Sequence, residues 1–171
     1  MRRITILPLL LLSTLTACLH AQAKLAISRF AIYGTVGGEK SGLPNQGWAT
    51  AGTVGLYVGV ANLGPIALAV DGRADLSSNI NSGLIGPRLA VHLPAFPLKP
   101  YAEILIGGSS YSKTAAGLKD PSQFASRAVF GADTTILPHI DWRIADFSYS
   151  LNNSSNGGSA KTLTTGLVLR F

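Results

Sequence analysis

The feature that most constrains the fold of this chain is an alternation of apolar and polar residues. It recurs in segments of about ten residues, separated by turn-forming residues. A period of two places successive side chains on opposite faces of a strand, and no comparable window has the helical period. Eight such segments follow one another, at residues 25–35, 48–61, 66–75, 83–93, 101–109, 123–135, 140–151 and 160–171. The sequence therefore predicts an all-β protein with eight antiparallel strands.

The connections between these segments predict how the strands are arranged. The odd-numbered connections are polar, and the first, fifth and seventh are clearly the longer ones, whereas the even-numbered connections are short and contain proline. Outer-membrane barrels have short periplasmic turns and longer external loops, with an even number of strands. Loop lengths and alternation thus agree on an eight-stranded antiparallel up-and-down transmembrane β-barrel with both termini on the periplasmic side.

Two positions disturb the alternation. Pro87 lies inside the fourth segment and lacks the N–H that a closed sheet needs, so we expect a bulge there or full strand pairing only after it. Asp146 breaks the parity of the seventh segment. A bulge near Ala145 would restore that parity and send Asp146 inward.

The first 23 residues have the organisation of a secretory signal peptide. Arg2 and Arg3 form a charged region, residues 4–12 are apolar, and Ala21 and Ala23 frame a small-x-small cleavage site. The predicted organisation is a cleaved leader over residues 1–23, followed by a barrel domain over residues 24–171.

The single cysteine leaves a second cleavage site open. Residues 15–18 resemble the lipobox of bacterial lipoproteins, in which Cys18 would carry the lipid. The strand-like sequence that begins directly after Ala23 favours cleavage there instead. The mature chain would then have no cysteine, which excludes disulfides, thiolate metal sites and cysteine catalysis.

The charged residues indicate which face of the barrel points inward. Ten of them, five of each sign, fall on the strand faces opposite the aliphatic ones. Inside an eight-stranded barrel such charges can neutralise one another, and the arginine fork suits pairing with carboxylates. The alternative is the solvated polar face of a soluble barrel. We predict a lumenal ion-pair network formed by Arg29, Asp71, Arg73, Asp75, Arg88, Glu103, Arg127, Asp133, Asp141 and Arg143.

The last segment has the pattern of a closing strand. Leu163, Leu167, Leu169 and Phe171 share one face, and the sequence stops on the aromatic residue. The exposed edge of such an apolar strand would be a liability in a soluble protein, whereas a closed barrel leaves no edge. We expect this strand to close the sheet against the first one.

These residues resemble the OmpA-like family of small outer-membrane β-barrels. The likeness rests on the leader, the eight alternating segments and the terminal residues 167–171, and it covers nearly all of the mature chain. Residues 99–103 and 138–143 are also similar to stretches of bacterial outer-membrane β-barrel domains. The resemblance implies that Leu163, Leu167, Leu169 and Phe171 form the signal read by the barrel-assembly machinery. No peptidoglycan-binding domain follows the barrel, so the resemblance does not imply wall tethering.

The sequence offers little for catalysis or metal binding. His92 and His139 are the histidines of the mature chain, and both are predicted near the periplasmic side, whereas barrel enzymes of lipid A place His, Ser and a carboxylate at the outer rim. Asp71 and Asp75 could ligate Ca²⁺ or Mg²⁺, but Arg73 between them favours a salt bridge. We predict no enzyme activity, no metal and no cofactor.

Three functions remain open at this stage. The first is a plugged outer-membrane barrel with a structural or surface-interaction role through its loops. The second is a small pore, and the third is a soluble lipocalin-type ligand-binding barrel, which would need its aliphatic face inside. The net charge is +6, of which Arg2 and Arg3 contribute two, and the basic residues are scattered, so no nucleic-acid partner is predicted. The expected partners are outer-membrane lipid, the barrel-assembly machinery and periplasmic chaperones, with the protein itself a monomer.

Overall fold

Eight antiparallel strands form a closed barrel, which confirms the predicted fold class. The computed structural model describes residues 30–41, 47–92, 96–111, 122–151 and 159–171. Neighbours in sequence are neighbours in the sheet, and the last strand pairs with the first. The strands are β1 (Phe30–Lys40), β2 (Trp48–Leu63), β3 (Ile66–Ser77), β4 (Ile80–Val91), β5 (Leu98–Tyr111), β6 (Ser122–Leu137), β7 (Ile140–Ser150) and β8 (Lys161–Arg170). The described residues contain no helix that is long and apolar enough to cross a membrane.

The first strand continues further than the sequence predicts. Residues 36–40, predicted to begin a long loop, pair with both β2 and β8. The prediction failed because Gly37 and Gly38 resemble turn residues. At Gly37 the backbone of β8 comes so close that a Cβ would overlap the carbonyl oxygen of Leu163, so this glycine permits strand contact and does not mark a loop. Residues 25–29 of the predicted strand lie outside the described residues, as do Ala21, Ala23 and Cys18.

Both expectations for Pro87 are wrong: there is no bulge at this residue, and β4 already pairs with both neighbours before it. The register of β4 against β3 is continuous from Ser82 to Val91, and Pro87 lies opposite Val70. Pairing with β5 has the same register on both sides of the proline and is interrupted only at Gly86 and Pro87. A Cβ on Gly86 would overlap the carbonyl oxygen of Ile104, so the missing side chain lets β5 lie close where the ladder loses a donor.

Register shifts occur elsewhere in the barrel. One lies in β2 between Gly59 and Ala61. Another lies in β7 between Arg143 and Asp146, at the position predicted from the broken parity. The inserted residues restore the alternation, so that Arg143 and Asp146 both point inward.

The outer surface of the barrel is apolar on every strand. Of the adjacent residues Ile104 and Leu105 on β5, the first is 61% exposed and the second is fully buried. The soluble lipocalin alternative requires the aliphatic face to point inward, and the structure places that face outside. The exposed aliphatic and aromatic residues include Ile32, Val54, Leu56, Val58, Val70, Ile85, Leu89, Ile106, Phe130, Trp142, Leu167 and Leu169.

The two rims of the barrel differ. One rim, here called the terminal rim, carries Phe30 and Phe171 together with the two-residue turns 64–65 and 138–139. Gly64 has a positive φ of 64°, which suits glycine in a tight hairpin. The opposite rim, here called the loop rim, carries the other ends of the strands and the connections that are predicted to be external. In outer-membrane barrels the rim that carries the short turns and the termini is the periplasmic one, so we expect the terminal rim to face the periplasm.

Candidate functional site

Three arginines and three carboxylates form a closed ring of ion pairs inside the barrel. Arg88 Nη1 lies 2.5 Å from Glu103 Oε1, and its Nη2 lies 2.9 Å from Asp133 Oδ2. Arg143 Nε lies 3.0 Å from Asp133 Oδ1, and its Nη1 lies 3.2 Å from Asp146 Oδ2. Arg73 pairs with Asp146 at 3.1 Å and also with Glu103, which closes the ring. The order around this ion-pair ring is Arg73, Glu103, Arg88, Asp133, Arg143 and Asp146.

The ion-pair ring is neutral and buried. Each of its six members is at most 5% exposed, and its three positive and three negative charges cancel. Within the ring, every carboxylate contacts two arginines and every arginine contacts two carboxylates. Five strands supply these residues, so the ring connects most of the barrel wall across the lumen. Buried charges are tolerated where each is paired and hydrogen-bonded in this way.

Two tyrosines extend the ion-pair ring by hydrogen bonding to carboxylates. Tyr33 donates to Asp71 Oδ1 at 2.8 Å, and Tyr101 donates to Asp146 Oδ2 at 2.6 Å. The guanidinium of Arg143 lies between the two rings, 4.1 Å from the centroid of Tyr33 and 4.7 Å from that of Tyr101. Arg88 lies 3.6 Å from the centroid of Tyr101. These cation–π contacts stack the arginines against rigid aromatic surfaces.

Each tyrosine fits against a glycine on the neighbouring strand. Tyr33 pairs with Gly55 across β1 and β2, and Tyr101 pairs with Gly131 across β5 and β6. A Cβ on either glycine would overlap the ring of its tyrosine. The glycines therefore provide the space in which the tyrosine rings lie along the inner wall.

A second layer of polar contacts lies on the loop-rim side of the ring. Asp75 accepts hydrogen bonds from Arg127 at 2.8 Å, Thr53 at 2.7 Å and Ser82 at 3.0 Å. Glu39 is fully buried in the same region of the lumen. The sequence did not reveal Glu39, because it falls in the stretch that was predicted to be a loop.

A third layer lies near the terminal rim. Asp141 accepts ion pairs from Lys99 and Arg170, each at 2.9 Å. A cavity of about 40 Å³ remains beside this layer, enough for a few water molecules. His92 follows the end of β4 and lines this cavity, and its pKa is lowered by burial and then by the nearby ammonium of Lys99.

The structure places nine of the ten predicted network residues in the lumen, and Arg29 lies outside the described residues. The acidic pair Asp71 and Asp75 does not converge on one point: Asp71 contacts Tyr33 and Arg73, whereas Asp75 contacts the loop-rim layer. Lys99 was missed because a lysine beside prolines at a strand start suggests a turn. The nine residues are Asp71, Arg73, Asp75, Arg88, Glu103, Arg127, Asp133, Asp141 and Arg143.

Comparison with protein-family models gives no match, and neither does comparison with curated proteins. Solved structures do match over the whole barrel. Neisserial surface protein A is 16% identical with a TM-score of 0.57, covering 84% of this chain and 98% of that one. The outer-membrane enzyme PagL is 14% identical with a TM-score of 0.53, covering 82% and 99%. Ail of Yersinia pestis, in a phospholipid bilayer nanodisc, is 11% identical with a TM-score of 0.50, covering 84% and 99%.

At these identities the comparisons establish the fold, which is that of the small eight-stranded outer-membrane barrels. The expected likeness to OmpA-like barrels is thus confirmed at the level of architecture. A closed sheet has no unpaired edge, and this one has an apolar exterior and an ion-paired lumen. The chain therefore has the fold of the small outer-membrane β-barrels, with an apolar exterior that suits contact with lipid and buried ion pairs in its lumen.

Proposed function

We propose that this protein is a sealed, non-enzymatic barrel that acts through its external loops, in a structural or surface-interaction role. The ion-pair ring carries the proposal, because it occupies the lumen between five strands. The layers on either side of the ring add further buried pairs. An eight-stranded barrel has an interior only wide enough for side chains, so a filled lumen leaves the loops as the surface available to partners.

The sealed lumen predicts an electrically silent protein. Purified barrel in a planar lipid bilayer should show no conductance steps. The variant Arg88→Ala/Glu103→Ala removes one charge of each sign from the ion-pair ring and should introduce measurable leakage, provided that it still shows the gel mobility of a folded barrel. Regular conductance steps in the unmodified protein would instead support the alternative of a small pore.

The proposal that the barrel is not an enzyme rests on where its histidines lie. PagL shows that this fold can carry an enzyme. In the present chain His92 lines the cavity near the terminal rim, and the ring nitrogen Nδ1 of His139 lies 3.2 Å from the carbonyl oxygen of Arg170 at the same rim. Both histidines thus lie near the terminal rim, at the opposite end of the barrel from the loop rim, which faces the outer leaflet in this proposal.

We further propose that the outward face of β8 is the signal read by the barrel-assembly machinery. Leu163, Leu167, Leu169 and Phe171 are all exposed on the outer wall. The ring of Phe171 lies 5.9 Å from that of Phe30, so this face continues onto β1. Recognition by periplasmic chaperones before insertion, and a monomeric state in the membrane, belong to the same proposal.

The variant Phe171→Ser should reduce assembly in cells more than it reduces the stability of the finished barrel. Outer-membrane levels should fall strongly, whereas protein refolded in detergent should unfold near the same urea concentration as the unmodified barrel. The matched control is Leu137→Ser, which changes an exposed apolar residue at the same rim on β6. Equal assembly defects in the two variants would argue against a signal on β8.

A further inference from the structure

Two lysines face each other on the outer wall at the loop rim. Lys40 ends β1, and its partner across the strand pair is Lys161 at the start of β8. Both side chains are exposed, whereas their neighbours Glu39 and Thr162 are buried in the lumen. Residues directly opposite each other on antiparallel strands have Cβ atoms about 5 Å apart, and like charges there destabilise the pairing.

No carboxylate on the described outer wall can neutralise this lysine pair. The sequence has eight acidic residues, and the seven that are described are all buried inside the barrel. The eighth, Asp120, belongs to the connection between β5 and β6. Six other lysines and arginines are described, and each of them takes part in a lumenal ion pair. Lys40 and Lys161 are thus the only described cations on the outer wall.

Aromatic residues flank the lysine pair on both sides. Trp48 pairs with Lys40 across β1 and β2 and is 61% exposed. Its ring lies over the backbone of Gly38, where an added Cβ would come within 3.0 Å of the indole. On the other side, Lys161 pairs with Tyr149, and its Nζ lies 5.7 Å from the centroid of that ring. The row across four strands is therefore Trp48, Lys40, Lys161 and Tyr149.

The position of this row identifies the kind of anion that it could bind. Exposed apolar residues, including Val36 and Leu163, lie directly below it on the same wall. Aromatic residues in barrels mark the boundary between hydrocarbon and headgroups. The lysine ammonium groups would therefore lie at the depth of lipid headgroups in the outer leaflet, with the apolar residues beside the acyl chains.

We propose that Trp48, Lys40, Lys161 and Tyr149 form a binding site for the phosphate group of an outer-leaflet glycolipid such as lipid A. The two ammonium groups donate to the phosphate oxygens, and the anion removes the repulsion between them. The aromatic rings border the site at the level of the sugar headgroup. The wall below accommodates the acyl chains of the same lipid molecule.

The test compares barrels in phosphatidylcholine vesicles containing either lipid A with two phosphates or lipid A stripped of phosphate. The amount of lipid A that remains with the barrel through detergent extraction is measured by mass spectrometry. Unmodified protein should retain about 30-fold more of the phosphorylated form, since each lysine near an anionic headgroup contributes roughly a factor of five. Lys40→Gln/Lys161→Gln should lose this preference, and Lys40→Arg/Lys161→Arg should keep it.

Two further arms make the outcome decisive. In vesicles with stripped lipid A, millimolar inorganic phosphate should not raise the thermal unfolding midpoint of the unmodified barrel. The variant Lys161→Glu should be at least as stable as the unmodified barrel there, because it replaces like charges across the strand pair with opposite ones, yet it should lose the preference for phosphorylated lipid. The proposal is overturned if the glutamine variant keeps the preference or the unmodified protein has none. If inorganic phosphate raised the thermal unfolding midpoint as much as phosphorylated lipid A does, the assignment to a lipid would be overturned.

Discussion

The variant Arg73→Leu should lower the stability of the folded barrel by about 3–5 kcal/mol. Arg73 pairs with Asp71, Glu103 and Asp146, and its side chain is almost completely buried. Glu103 and Asp146 keep Arg88 and Arg143 as partners, but Asp71 keeps only the hydroxyl of Tyr33 among the described residues. The loss should appear as a lower urea midpoint for unfolding in detergent. Unfolding is monitored by the gel mobility of unboiled samples.

A second change on the same strand separates the loss of an ion pair from the loss of packing. In Arg73→Leu/Asp71→Asn a neutral amide replaces the carboxylate that would be left unpaired, so part of the lost stability should return. An unchanged midpoint in Arg73→Leu would show that the ion-pair ring does not stabilise the barrel. A double variant no more stable than the single one would show that the cost comes from packing alone.

The variant Gly131→Val should also destabilise the barrel strongly, by about 2–4 kcal/mol. The added side chain would overlap the ring of Tyr101, which lies directly opposite on β5. Tyr101 would have to move, which breaks its hydrogen bond to Asp146 and removes its ring from Arg88. Valine otherwise suits strands better than glycine, so the predicted loss runs against intrinsic propensity.

The matched control for this variant is Gly72→Val on β3. A Cβ at Gly72 meets no atom within 4 Å, and its partners Leu56 and Ile85 face outward. This substitution should leave the urea midpoint unchanged or raise it. If both valine variants behaved alike, the effect would reflect glycine replacement in general, and the fit between tyrosine and glycine would have no special role.

The strand count and the division into faces could be predicted from the sequence because both follow from a period of two. Asp146 could be predicted to point inward because the break in parity at Ala145 is itself visible in the sequence. The sign balance of the charges indicated pairing, but it did not indicate which arginine meets which carboxylate. That choice depends on strand register, which places Arg143 beside Asp133 and Arg88 beside Glu103.

The errors have physical causes that the sequence pattern does not contain. Residues 36–40 were predicted as loop because glycine serves both turns and close strand contact, and only the position of β8 distinguishes the two at Gly37. This error hid Glu39 and the strand position of Lys40. The bulge predicted at Pro87 is absent because Gly86 next to it lets β5 lie close without a change of register.

In the proposed barrel the aliphatic face touches lipid while the charged face lines a sealed lumen, and labels at adjacent residues test this arrangement most directly. Ile104→Cys and Leu105→Cys, each with Cys18 replaced by Ala, would carry the same small fluorophore in bilayers with or without brominated lipid. Brominated chains should quench the label at residue 104 and leave the label at residue 105 nearly unaffected, because these side chains are 61% and 0% exposed. Equal quenching at both positions, or stronger quenching at residue 105, would contradict the account.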